Sequence, residues 1–166
     1  MLTLTAMFTA VSIILARLLG FYLTESMRVS FEYFTIILAG LCLGPAAGAV
    51  VGGLQDFLGA TVLSGLGFFP PLILGPIGAG FCAGIFGKYI LRGDLDRWWK
   101  PALASVAADL LFNLFWGTFA LTLMTGTPYW ATLAMRAPLK CAIIAADAFL
   151  VVIVHRALRP TLKKLR

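Results

Sequence analysis

Three carboxylates, Asp56, Asp109 and Asp147, lie inside long apolar runs of this 166-residue chain. An acid in such surroundings is costly, so each is expected to face a bundle interior and to have a partner there. Asp56, beside Gln55, is the one best placed to reach a ligand, whereas Asp109 reads as structural. Asn113, Trp116 and Thr118 form a further polar and aromatic strip, although on a regular helix Asn113 and Thr118 do not share one narrow face. A second group of residues falls between the apolar runs. It combines cations (Arg17, Arg28, Arg136, Lys140), carboxylates (Glu25, Glu32) and rings (Phe21, Tyr22, Phe31, Tyr33, Phe68, Phe69, Tyr129, Trp130). Rings stack on a flat body, and an arginine fork grips a carboxylate in two places. Together these residue types suit a pocket for a flat, ring-bearing anion. Arg28 and Arg136 are the candidates for its carboxylate, Glu32 or Asp56 for ring nitrogen donors, and Tyr33, Phe69 and Trp116 for stacking.

Other chemistries lack their parts. No GxxxxGK[ST] phosphate loop occurs, Gly87-Lys88-Tyr89 being the nearest sequence, so the chain is not expected to hydrolyse ATP itself. The single histidine, His155, cannot make a histidine-rich metal site. Cys42, Cys82 and Cys141 all fall in apolar runs without a CxxC and read as small buried hydrophobes. Neither cofactor nor metal is expected. Asp109 and Asp147 could form an intramembrane aspartyl peptidase dyad. The flanks Val106-Ala107-Ala108-Asp109-Leu110 and Ala145-Ala146-Asp147-Ala148 carry none of the motifs such enzymes use.

The elements that must position these residues are membrane spans. The chain is 61% hydrophobic and 12% charged, and its mean hydropathy is +0.97. A soluble domain carries about 25% charged residues. At about 20 residues per crossing there is room for about six helices and no soluble domain, so residues 1–166 are a single membrane-embedded unit. The net charge of +6 would point to nucleic acid in a soluble protein. Here the charges sit at span ends and in loops, which indicates topology instead. Expected spans run over about Leu2–Phe21, Tyr33–Leu43, Ala46–Leu63, Leu72–Leu91, Pro101–Met124 and Pro138–Leu158. Nine basic residues fall at alternate ends on one side and four on the other, which puts both termini in the cytoplasm. Arg17 then lies about 22 Å along the first span. The alternation in Met27-Arg28-Val29-Ser30-Phe31-Glu32-Tyr33 predicts an extended outer segment able to act as a lid. Gly40, Gly44, Gly48 and Gly52, with Gly80 and Gly84, predict close helix packing.

Several blocks resemble the substrate-binding S-components of energy-coupling-factor (ECF) vitamin transporters, the folate-type group in particular. Ala6-Met7-Phe8-Thr9-Ala10 looks like the AxxxA motif of that family. Arg28-Val29-Ser30-Phe31, Ala39-Gly40-Leu41-Cys42-Leu43-Gly44-Pro45 and Asp56-Phe57-Leu58-Gly59 are similar to its Arg-x-Ser-Phe, Ala-Gly-x-x-x-Gly-Pro and Asp-x-x-Gly pattern. Phe68-Phe69-Pro70, the stretch from Asn113 to Leu121, Gly126 and Arg136 extend the likeness from Ala6 to Lys140. Two departures, Phe69-Pro70-Pro71-Leu72 and Asn113-Leu114-Phe115-Trp116, touch pocket positions and leave another vitamin or precursor open. The resemblance implies an all-α, six-transmembrane-helix bundle that captures a vitamin, folate or a related pterin first, from outside a bacterial cytoplasmic membrane. It also implies docking through Ala6 and Ala10 to a transmembrane coupling subunit that works with two ATP-binding subunits. A stand-alone secondary carrier is the rival reading.

Overall fold

A computed structural model of the protein describes residues 2–18, 21–24, 27–29, 31–64, 70–90 and 97–164. Six helices follow one another: α1 (Leu2–Leu18), α2 (Glu32–Leu43), α3 (Pro45–Leu58), α4 (Pro70–Ile85), α5 (Trp99–Thr125) and α6 (Tyr129–Lys164). Wide turns with longer-range hydrogen bonds extend α3 over Gly59–Ser64 and α4 over Phe86–Ile90, and occupy Asp109–Trp116 inside α5. Among the described residues Pro70–Tyr89, Trp99–Thr125 and Tyr129–Leu158 are long and apolar enough to cross a bilayer, and Leu2–Ala16 and Glu32–Leu43 are shorter apolar helices. The protein is an all-helical integral membrane bundle, as its composition requires.

The segment predicted as an outer extension is a small hairpin, β1 (Phe21–Thr24) against β2 (Met27–Val29), antiparallel, with Phe21 opposite Val29 and Tyr22 opposite Arg28. The predicted extension therefore ends early. Phe31 precedes a helix whose first residues are Glu32 and Tyr33, so these two point from a helix end and not from a strand. The first turn of α2 gains an acid, Glu32, which the helix dipole favours at that end.

Helix α2 is the centre of the bundle. Ile36, Ile37, Leu38 and Ala39 are all 0–1% exposed, so every side of the helix is covered. Ile37 and Leu41 pack with Ala83, Ala104, Ala108 and Val151 from α4, α5 and α6, while Ile36 and Ala39 pack with Val51 of α3. Helix α1 lies outside this core, against α2 and α3. Rings and branched chains such as Leu111, Phe115, Phe119, Phe149 and Ile153 face outward. In water that surface would drive aggregation; in a bilayer it is the solvated face.

The glycines work inside the bundle. A side chain on Gly40 or Gly80 would collide with backbone of the facing helix, Gly80 and Gly48 respectively, and one on Gly52 with the backbone of Pro76. Helices α2, α3 and α4 thus touch backbone to backbone. Gly44 has φ 102°, which lets the chain reverse between α2 and α3 in a single residue before Pro45 starts the next helix.

The largest departure from the expected boundaries is at α6. It begins at Tyr129, nine residues before Pro138, and runs straight through that proline. Gly126, at φ 69°, ends α5 in the left-handed conformation and lets Tyr129 start the next helix almost at once. Pro138 marked no boundary. Arg136, expected in the loop before Pro138, and Lys140, expected near the start of the span, are both carried well inside one long helix.

Candidate functional site

Arg136, Lys140 and Asp147 recur at spacings of four and seven along α6, which puts them on one face. That face is turned inward: Lys140 is 8% exposed and Asp147 is fully buried. Opposite stands the buried side of α5, with Asp109, Asn113 and Thr118. The Lys140 ammonium donates to Asn113 Oδ1 at 2.8 Å, and Asn113 Nδ2 reaches Asp109 Oδ1 at 3.4 Å. One turn outward, Arg136 Nη1 lies 3.3 Å from Thr118 Oγ1. Asn113 and Thr118 therefore serve the same face after all. Five residues overshoot one turn of a regular α-helix but make about one turn where hydrogen bonds run from i to i+5, and the wide turns over Asp109–Trp116 supply that winding.

The layer is completed from α2 and α3. Gln55 Nε2 donates to Glu32 Oε2 at 2.8 Å, deep in the bundle. Asp56, next along α3, is half-buried and acts electrostatically on Tyr33, as do Glu32, Asp109 and Arg136. Lys140 is likewise within electrostatic reach of Glu32, Asp109, Asp147 and Arg136. Four helices thus converge on one ammonium and one guanidinium. Several buried atoms of this layer have no hydrogen-bond partner among the described residues: Gln55 Oε1, Asp109 Oδ2, Arg136 Nε and both carboxylate oxygens of Asp147. A buried charge of this kind is held by its neighbours' opposite charge and not by hydrogen bonds alone.

The aromatic wall is more structural than expected. Trp116 donates its indole N–H to the carbonyl of Pro71 at 2.9 Å, tying α5 to the start of α4. The space beside Gly75 is shared by the Tyr33 hydroxyl and the Trp116 ring, which a Cβ there would meet at 3.2 and 3.7 Å. Tyr33 and Trp116 accordingly approach each other across a glycine, and both remain half-buried. Tyr129 packs edge-on against Trp130, which is 78% exposed, so Trp130 faces outward. The Arg28 backbone belongs to β2. The Arg17, Glu25 and Arg28 side chains and all of Phe69 lie outside the described residues.

Of the sequence candidates, the structure brings together Glu32, Tyr33, Asp56, Trp116 and Arg136. Lys140, Gln55, Asn113, Asp109 and Asp147 join them, although the sequence assigns none of these five a ligand contact of its own. The signal for α6 was present in the spacing of Arg136, Lys140 and Asp147. A helix start at Pro138 cuts Arg136 off from that face, which is why spacing alone does not assemble it. Ala6 and Ala10 are both exposed on α1, whose inner face carries Thr9, Ser12 and Ala16. His155 is buried at the far end of α6 with Nδ1 3.7 Å from Cys42 Sγ. All three cysteines are free, and Cys141 is exposed on the outer face of α6 rather than buried as expected.

A polar and charged layer held inside a six-helix membrane bundle is a receptor-like arrangement, and comparison with known proteins decides which kind. The sequence model of the family described as "ECF transporter, substrate-specific component" matches residues 1–158. The chain belongs to that family. As an S-component it is a substrate-binding part of a transporter and not an enzyme, which removes the peptidase reading of Asp109 and Asp147. Two crystal structures share the S-component fold. One is described as the S-component for biotin from an ECF-type ABC transporter, with a TM-score of 0.74 at 23% identity over 93% of this chain and 90% of the other. The other, FolT bound with folic acid, has a TM-score of 0.73 at 23% identity over 93% and 89%. At that identity the likeness is one of fold. No curated protein sequence is significantly similar to this S-component.

Proposed function

We propose that this S-component captures a small ring-bearing vitamin with a carboxylate, folate or a related pterin first, from the outer face of a bacterial cytoplasmic membrane. The observation that carries the reading is the layer of buried Glu32, Gln55, Asp109, Asn113, Lys140 and Asp147 with the half-buried Arg136, in a bundle whose core is otherwise mostly apolar. Such a set is too costly to keep for packing alone, and its mixed signs suit a ligand with ring N–H donors at one end and a carboxylate at the other. Glu32 and Asp56 take the donors, Arg136 and Arg28 the carboxylate, and Tyr33, Phe69 and Trp116 flank the ring. The β1–β2 hairpin ends three residues before Glu32 and serves as the lid.

Uptake then depends on a transmembrane coupling subunit, met through Ala6 and Ala10, and on two ATP-binding subunits. A biotin-sized vitamin is the second reading, favoured by a structural likeness to the biotin S-component as close as that to FolT. Titration calorimetry of the purified protein against folate, a pterin and biotin separates the two. With the ligand that binds, Arg136→Ala and Arg28→Ala are each expected to weaken affinity by roughly 1.5–3 kcal/mol, the scale of a charged hydrogen bond. Unchanged affinity in both variants would remove the carboxylate site. Ion-driven uptake by the chain alone in liposomes would overturn the dependence on coupling and ATP-binding subunits in favour of a stand-alone carrier.

A further inference from the structure

A cavity opens on the outward face between α5 and α6, and its lining on α6 starts at Ala148, next to Asp147, and runs away from the charged layer toward Arg156. It has a volume of about 420 Å³ and is lined by Trp98, Ala102, Ala148, Phe149, Val152 and Arg156. Its polarity changes along the helix axis. Arg156 stands at the end of the apolar stretch Tyr129–Leu158, the level at which a span meets headgroups. Phe149 lies about 10 Å deeper by helical rise, in the hydrocarbon. Trp98 and Phe149 form its raised walls, 61% and 67% exposed, while Ala102 and Ala148 leave the space between them. No acidic residue lines it.

We propose that this groove holds one anionic phospholipid, with the phosphate on Arg156 and an acyl chain along Val152, Phe149 and Ala148. The apolar depth alone would accept any chain or a partner's helix. The charge decides between them, because an apolar partner helix would strip water from the Arg156 guanidinium and return nothing, whereas a phosphate accepts two of its N–H groups. Basic pockets between membrane helices at the positive end take such headgroups, and Arg97 and Lys100 add cations at that end of α5. The Trp98 indole suits the same interfacial level.

Native mass spectrometry of the protein released from vesicles of equal phosphatidylglycerol and phosphatidylcholine tests this. The wild type is expected to retain phosphatidylglycerol selectively. Arg156→Gln should reduce the retained phosphatidylglycerol about fivefold, the effect of one cation near the surface. Ala102→Phe, which fills the groove, should release the bound lipid, and Lys88→Gln, on the extension of α4 and outside the lining, should leave selectivity intact. Thermal unfolding in detergent checks that each variant is folded. Equal retention of the two lipids by the wild type would overturn the proposal. So would wild-type selectivity in Arg156→Gln, or loss of bound lipid when a membrane partner is added.

Discussion

An ammonium offers three protons and no acceptor, so a buried lysine must be surrounded by oxygen. Lys140 is so placed: it donates to Asn113 and lies within electrostatic reach of Glu32, Asp109 and Asp147. Removing it would leave those carboxylates without their common counter-charge. Lys140→Met is therefore expected to destabilise the folded protein by about 1–3 kcal/mol, the cost of leaving the buried Asn113 oxygen without its charged donor. Chemical unfolding in detergent measures it. The double variant Lys140→Met with Asp147→Asn should recover part of the loss, because the uncompensated acid goes too. Strict additivity of the two changes would mean that Lys140 and Asp147 do not interact. Lys140 falls at the start of a span if Pro138 opens the helix and in the helix interior where α6 passes through that proline, and a proline's neighbours alone do not say which.

The triplet α2, α3 and α4 is held by contacts that have no side chain between them. Gly80→Ala would drive a methyl group into the backbone of Gly48, which cannot rotate away. Overpacking of this kind costs about 1–3 kcal/mol, and the backbone site puts Gly80 at the upper end. Gly117→Ala, whose Cβ would meet only the Phe112 carbonyl at 3.5 Å, should be tolerated. Thermal unfolding of the two variants side by side checks the contrast; equal losses would mean that close approach is not what Gly80 provides. The four-residue glycine spacing predicted close packing, but only the fold identifies α2 as the helix surrounded on every side.

At the scale of the whole molecule, α1 packs on α2 and α3 and leaves Ala6, Met7, Ala10 and Val11 outward. The docking role proposed for Ala6 and Ala10 puts it on a peripheral helix outside the charged layer, so docking and ligand capture are expected to be alterable independently. Ala10→Leu is expected to leave ligand affinity unchanged while lowering uptake by the assembled transporter severalfold, measured by radiolabelled uptake beside calorimetry on the isolated subunit. Normal uptake would remove Ala10 from the docking surface. A matched fall in affinity would mean that α1 shapes the pocket instead.

Solvent preference, the number of crossings and the end at which the cations collect were legible in the residues alone. They depend on local sums of transfer free energy and on charge placement, which no long-range contact can reverse. The blocks around Ala6, Arg28, Gly44 and Asp56 further carried a family likeness. What composition could not carry was which polar groups meet. Glu32 with Gln55, Lys140 with Asn113, and Asn113 with Thr118 on one face are settled by where α2 begins and how α5 is wound. Those features follow from packing six helices at once: the unmet cost of each buried charge is relieved only by a residue distant in the chain.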